Sequence, residues 1–253
     1  MRQVCQASGG AGLQADIKTA QRFGVYAQTA VTAITVQDTT GVSAIQLMTP
    51  EIVRGQIEAA LNDIGADAIK IGMLANAVLA GAVADAVGQT DIPLVLDPVL
   101  VSTSGSLLLE PQALEVLKQR LLPRATVVTP NLPESAALVG ILPTDDHGIH
   151  QAAQAFALLG ARRVLFKGGH DSGATVRDIL TDVDGPSLVL EAPRQRTRHT
   201  HGTGCTLSTA IACGLAKGQR LGEAVERAHA FVQNAIRTAP GFGRGHGPLN
   251  FLS

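Results

Sequence analysis

The chain has 253 residues, 45% hydrophobic and 16% charged, with a net charge of −1. So many apolar side chains build a substantial core, and the scattered Lys and Arg leave no electrostatic footprint of a nucleic-acid or anionic-membrane binder. Three cysteines in so long a chain argue against a disulfide scaffold, no apolar run is long enough to span a bilayer, and no signal-peptide pattern opens the chain, so a reducing, cytoplasmic setting is expected.

In chain order, the spacing of apolar residues predicts a helix over 12–23, a strand over 29–36 and a helix over 50–64. The last of these carries Ile52, Ile57, Ala60, Leu61 and Ile64 at helical spacing, behind Pro50 and Glu51 as start signals. A strand follows at 67–73, a helix at 76–88, a strand at 92–99 and a helix at 110–122. Then come a strand at 125–131, a helix at 147–160 ending near Gly160, and strands at 162–169 and 187–193. Helices over 205–217 and 221–239 close the chain. Apolar strands alternating with amphipathic helices imply a mostly parallel sheet covered on both faces, in a single α/β domain over 1–253.

Ligands of such sheets gather beyond the carboxyl ends of the strands. Polar punctuation falls there, at Gln37-Asp38, Gly72-Met73, Asp97-Pro98, Asn131 with Glu134, and Lys167-Gly168-Gly169. Turn chemistry explains each of these alone. Their convergence adds a carboxylate and a lysine to a glycine-lined helix start, for "HTHGTGC" (199–205) runs straight into the apolar "TLSTAIACG". Glycines bare the backbone and a helix start attracts anions, so the set suits phosphoryl transfer, which needs positioning and charge neutralisation. Cys205, in the first turn, is expected to lose its proton more readily than a free thiol, and a small thiol that merely completes the turn is the alternative. The P-loop and dinucleotide fingerprints are absent, as are H-E-x-x-H and G-x-S-x-G. His199 and His201 read as a polar loop pair rather than a metal site.

The ordered segments "SGGAGLQADIKT" (8–19), "KIGML" (70–74), "TPNLPE" (129–134), "KGGH" (167–170), "HGTGCTLS" (201–208) and "GHGPLN" (245–250) resemble the hydroxymethylpyrimidine/phosphomethylpyrimidine kinases of thiamine biosynthesis. These are ribokinase-like proteins related to pyridoxal kinases. The resemblance covers nearly the whole chain and implies a three-layer α/β/α fold, ATP and Mg²⁺ as cofactors, two successive phosphorylations and a homodimer.

The resemblance also assigns roles. It makes Gly202, Thr203, Gly204 and the Cys205 backbone the anion hole, with the Cys205 thiol as general base. Glu134 organises Mg²⁺ with support from Asp97, while Asn131, Lys167 and His201 face ATP. Asp16, Gln37, Met73 and Val99 surround the pyrimidine, Gln37 meeting an aminopyrimidine edge with its amide. Read without the resemblance, Glu134 is a helix-start charge three residues after Asn131, Lys167 a strand-end surface charge, Gln37 a turn residue and Met73 core filler. The same pattern implies a longer apolar strand ahead of Ser8 and an aspartate where Gln6 stands, so the first strand is expected to be nearly absent. A pyridoxine/pyridoxal kinase, a non-catalytic pyrimidine sensor and, more remotely, a cysteine hydrolase remain the alternatives.

Overall fold

The computed structural model describes residues 2–100, 109–169 and 173–253; Met1 and His170, the last residue of "KGGH", lie outside them. The first half of the chain runs β1 (Arg2–Gln6), α1 (Gly12–Arg22), β2 (Ala30–Gln37), β3 (Val42–Leu47), α2 (Pro50–Asn62), β4 (Ile69–Ile71), α3 (Ala77–Val87), β5 (Leu94–Leu96) and α4 (Pro111–Val116). A π-helical turn, Leu117–Leu121, extends α4. The second half runs β6 (Val127–Val128), α5 (Leu132–Val139), α6 (Asp146–Leu158), β7 (Arg163–Phe166), β8 (Thr175–Asp182), β9 (Gly185–Pro193), α7 (Thr203–Ala216) and α8 (Leu221–Arg237).

One sheet takes the order β3-β2-β1-β4-β5-β6-β7-β8-β9. Its middle, from β2 to β7, is parallel, whereas β3 runs antiparallel to β2 and β8 antiparallel to both β7 and β9. The sheet is therefore mostly parallel, as expected, with antiparallel margins that the apolar runs did not reveal. Where the first strand was expected to be nearly absent, Arg2–Gln6 lie between β2 and β4, paired along β2 and reaching β4 at Arg2↔Ile71.

Period-two alternation sorts the strands onto two cores. Ile69, Ile71, Leu94, Leu96, Val128, Val164 and Phe166 face α2, α3, α5 and α6. Val95, Val127 and Leu165 face α1, α7 and α8 through Ala20, Leu207, Ile211 and Val225. The three-layer α/β/α arrangement follows. It also places any polar residue on the second face of β4 or β5 directly beneath α7. The chain leaves β1 toward β2 and β3 and returns to its other side at β4, the strand-order reversal at which open sheets bind ligands. No described helix is long and apolar enough to cross a membrane.

Candidate active site

Glycines bring the loop before α1 against the loop before α7. Gly202, at φ 88°, caps α7, and a Cβ there would collide with the Gly10 carbonyl oxygen. Gly10 in turn leaves room for the buried His201 ring. Gly12 opens α1 at φ 62°, so near Val4 that no side chain fits. Two helix starts therefore meet at the rim beyond β1. At Gly204 a Cβ would stand 3.4 Å from Lys167 Nζ and 3.5 Å from Asp97 Oδ2, so the α7 start rests on a lysine and a carboxylate. Thr203, expected among the anion-hole donors, instead turns its N–H and hydroxyl (3.2 and 2.7 Å) back to the Thr200 carbonyl.

Beneath Gly204, Lys167 Nζ donates to Asp97 Oδ1 at 3.0 Å and lies 3.6 Å from Glu134 Oε2. Thr129 and Ser208 donate their hydroxyls to Asp97 at 3.3 Å each. Burial works to raise the Asp97 carboxyl, but Lys167, Lys70 and the hydrogen bonds outweigh it and hold it below the ordinary value. Burial likewise opposes the Lys167 charge, yet Asp97 and Glu134 raise its pKa and keep it protonated. Glu134 is raised by burial, despite Lys167.

Asn131 and Glu134 also form a reciprocal capping box at α5, with Glu134 N donating to Asn131 Oδ1 at 2.8 Å and Asn131 N to Glu134 Oε2 at 2.7 Å. The helix-start reading of Glu134 is thus borne out, and its carboxylate still reaches Lys167. Among the described residues no three His, Cys, Asp or Glu groups gather to hold a metal by themselves. Asp97 and Glu134 on one lysine do fit Mg²⁺ that arrives with phosphates, because that ion needs only one or two carboxylates and keeps waters.

A second carboxylate–lysine couple lies one ridge over. Lys70 on β4 is fully buried and donates to Asp16 of α1 at 3.1 and 3.3 Å. Thr209 donates to the same carboxylate at 2.6 Å. Thr209 follows Cys205 by one turn of α7, as Ser208 follows Gly204, so each couple supports one ridge of the helix. Burial opposes the Lys70 charge, but Asp16, Cys205 and Asp97 raise its pKa. The Cys205 thiol departs from expectation: burial pushes its pKa up, and neither Lys70 nor the hydrogen bond from the Gly12 N–H offsets this. A helix start alone does not make the thiol acidic here.

Gln37 stands half-buried at the end of β2, its carbonyl accepting from Ser8 N at 3.1 Å. Met73 is buried just past β4, and Val99 packs at the edge of the first core beyond Asp97. His201 Nε2 lies 3.2 Å from Gln6 Oε1, and burial, then His246, lowers its pKa, so it stays neutral near pH 7. The rim thus gathers Asp97, Glu134, Lys167, Gly202, Gly204 and Cys205, while Asp16 sits beneath it with both oxygens engaged. Sequence reasoning missed Lys70. Its signal was a lone charge inside the apolar "AIKIG" run, since a lysine is almost never fully buried without a partner.

Comparison with known proteins gives the family. The family model described as phosphomethylpyrimidine kinase matches residues 6–250. A Haemophilus influenzae protein named hydroxymethylpyrimidine/phosphomethylpyrimidine kinase is 45% identical over 96% of this chain and 91% of its own length. An ADP complex of Bacillus subtilis pyridoxal kinase superposes with a TM-score of 0.91 at 33% identity, covering 99% of this chain and 95% of that one. A phosphomethylpyrimidine kinase from Clostridium difficile gives 0.81 at 36% identity, covering 93% and 98%.

Proposed function

The chain belongs to the phosphomethylpyrimidine kinase family and is a phosphotransferase, and from this premise we propose that it phosphorylates hydroxymethylpyrimidine, and then its monophosphate, at the α7 start. ATP is the phosphoryl donor, and the product serves thiamine biosynthesis. The observation that carries this reading is the closeness of Gly204 to Asp97 and Lys167. The positive end of α7, the bare Gly202–Gly204 backbone and the Lys167 ammonium together receive an anion with three negative oxygens, neutralising charge where phosphoryl transfer develops it.

Asp97 and Glu134 would hold Mg²⁺, which supplies further charge neutralisation on the nucleotide phosphates. Asn131 and His201 line the nucleotide side, and Gln37, Met73 and Val99 form the pyrimidine pocket. The substrate hydroxyl oxygen bonds to the γ-phosphorus as the bond to the ADP oxygen breaks, and the hydroxyl proton passes to the Cys205 thiolate. Asp16 acts from below, fixing Thr209 and Lys70 under that cysteine. A cytoplasmic homodimer with small-molecule partners and no nucleic acid completes the reading, resting on the family resemblance and the near-neutral charge.

Likeness to a pyridoxal kinase keeps one competing substrate in view. ADP release with ATP, Mg²⁺ and either hydroxymethylpyrimidine or pyridoxal separates the two. A kcat/KM higher for the pyrimidine is expected. Turnover of pyridoxal alone would move the assignment to vitamin B6, and ligand binding without ADP release would favour a sensor.

A further inference from the structure

Lys167 is held from both sides by its backbone. Its own N–H donates to the Pro130 carbonyl at 3.0 Å, on the β6 side. The next N–H, that of Gly168, bonds to no carbonyl among the described residues; it donates to the Asp178 side chain of β8 at 2.9 Å. The approach there is so close that a Cβ on Gly168 would run into the Arg177 carbonyl oxygen. The β7–β8 pairing, which includes Phe166↔Ile179, thus gives way at Gly168 to a bond that a side chain accepts.

Asp178 is itself buried, and burial raises its carboxyl despite the Gly168 hydrogen bond, His229 and Lys167. His229 of α8, also buried, turns Nε2 to within 3.9 Å of Asp178 Oδ2 and has no hydrogen-bond partner for that nitrogen among the described residues. A buried carboxylate is costly to keep. None of the steps proposed for phosphoryl transfer uses this one.

We infer that Asp178 is a positioning residue for the nucleotide side of the site: by holding the Gly168 N–H it fixes the corner from which Lys167 reaches Asp97, Glu134 and the phosphates. The inference rests on the kinase reading. Asp178 touches no substrate; it acts through one backbone bond. Without that bond Gly168 carries a buried, unpaired N–H, the corner relaxes toward another acceptor, and a small shift of Lys167 weakens its grip on charge. His229 closes the far side of Asp178, so the carboxylate keeps to the Gly168 side.

The test is calorimetric binding of Mg·ATP and, separately, of hydroxymethylpyrimidine to the wild type, Asp178→Leu and Asp178→Asn. Asparagine keeps an acceptor oxygen for Gly168, and leucine does not. In Asp178→Leu the Kd for Mg·ATP is expected to rise about tenfold, as one well-placed hydrogen bond is lost. The Kd for the pyrimidine should hold within about twofold, and Asp178→Asn should recover most of the loss. A folded Asp178→Leu with wild-type nucleotide affinity overturns the inference, as do equal losses for both ligands or no rescue by asparagine. Hydrogen exchange at the Gly168 amide is a second check that needs no leucine variant: slow exchange in the wild type is expected, and rapid exchange refutes the bond. A wild type that binds no Mg·ATP refutes the kinase reading and, with it, the nucleotide role of Asp178, while the exchange experiment still tests the Gly168–Asp178 bond itself.

Discussion

Two lysine–carboxylate couples lie side by side under α7, and they differ in what surrounds them. Asp16 and Lys70 meet at 3.1 Å with both side chains fully buried. Asp97 and Lys167 meet at 3.0 Å, but the lysine keeps 15% of its surface and faces a second carboxylate, Glu134. The first couple is complete, its carboxylate filled by Lys70 and Thr209. The second opens on the bare backbone of Gly204 and can trade protein partners for phosphates. The same pair of charges is therefore sealed as a fixed support in one place and left open in the other, where the proposed function has it receive an anion.

Removing one member of the sealed couple gives the largest expected effect. Lys70→Met strands the Asp16 carboxylate in the core and should lower unfolding free energy by about 3–5 kcal/mol, measured by urea denaturation. Adding Asp16→Leu should restore most of that loss, because a well-packed apolar pair replaces a buried ionic one at little or no net cost. A Lys70→Met protein of wild-type stability would break the comparison.

The rim couple should respond in rate rather than in stability. Lys167→Met is expected to slow turnover ~10²–10³-fold by removing charge aimed at the transferring group. Its loss of stability should fall well short of that of Lys70→Met, since Thr129 and Ser208 still donate to Asp97.

Cys205 lies between the two and sharpens the distinction. Cys205→Ala should lower kcat by about 10²-fold with ATP affinity nearly intact. Burial raises the thiol above its ordinary value of 9.0. The thiolate is therefore scarce at neutral pH and grows as pH rises, so kcat of the wild type should climb through the alkaline range. A pH–rate profile that stays flat above neutrality would remove the thiolate from the mechanism.

The smallest expected effect belongs to the pyrimidine side. Gln37→Ala should weaken pyrimidine binding by about 1–3 kcal/mol while leaving Mg·ATP affinity unchanged, because a buried ring edge loses its partner. Loss of affinity for both ligands would show that the Gln37 side chain supports the whole rim, since alanine keeps the main-chain carbonyl that accepts from Ser8.

Much of this arrangement was legible in the residues. Strands buried on both faces announce themselves as apolar runs, and "LVL" and "RVLF" were placed within a few residues. Strands β3 and β8 were not, because they expose part of their surface and read as mixed polar segments such as "TVRDILTD", whereas the edge strand β9 was placed. Helix α5 was seen only through the Asn131–Glu134 cap at its start. At the site, the spacing of glycines ahead of an apolar helix marked the start of α7, which the structure sets over Lys167 and Asp97. The acidity of Cys205 was misjudged because the dipole argument carries no information about burial, which here dominates. Lys70 showed only as a charge inside an apolar run, its partner lying 54 residues away, whereas no local pattern announces Asp178, whose partner lies 10 residues away.

The sharpest test of the separation between the couples is the rate of ADP release with hydroxymethylpyrimidine, compared between Asp16→Leu/Lys70→Met and Lys167→Met. Lys70 and Asp16 push the Cys205 thiol in opposite directions, so deleting both removes one lowering and one raising influence together. The double variant is predicted to keep turnover within about tenfold of the wild type, while Lys167→Met falls at least ~10²-fold. A double variant as slow as Lys167→Met, or a Lys167→Met protein of wild-type rate, would contradict the account.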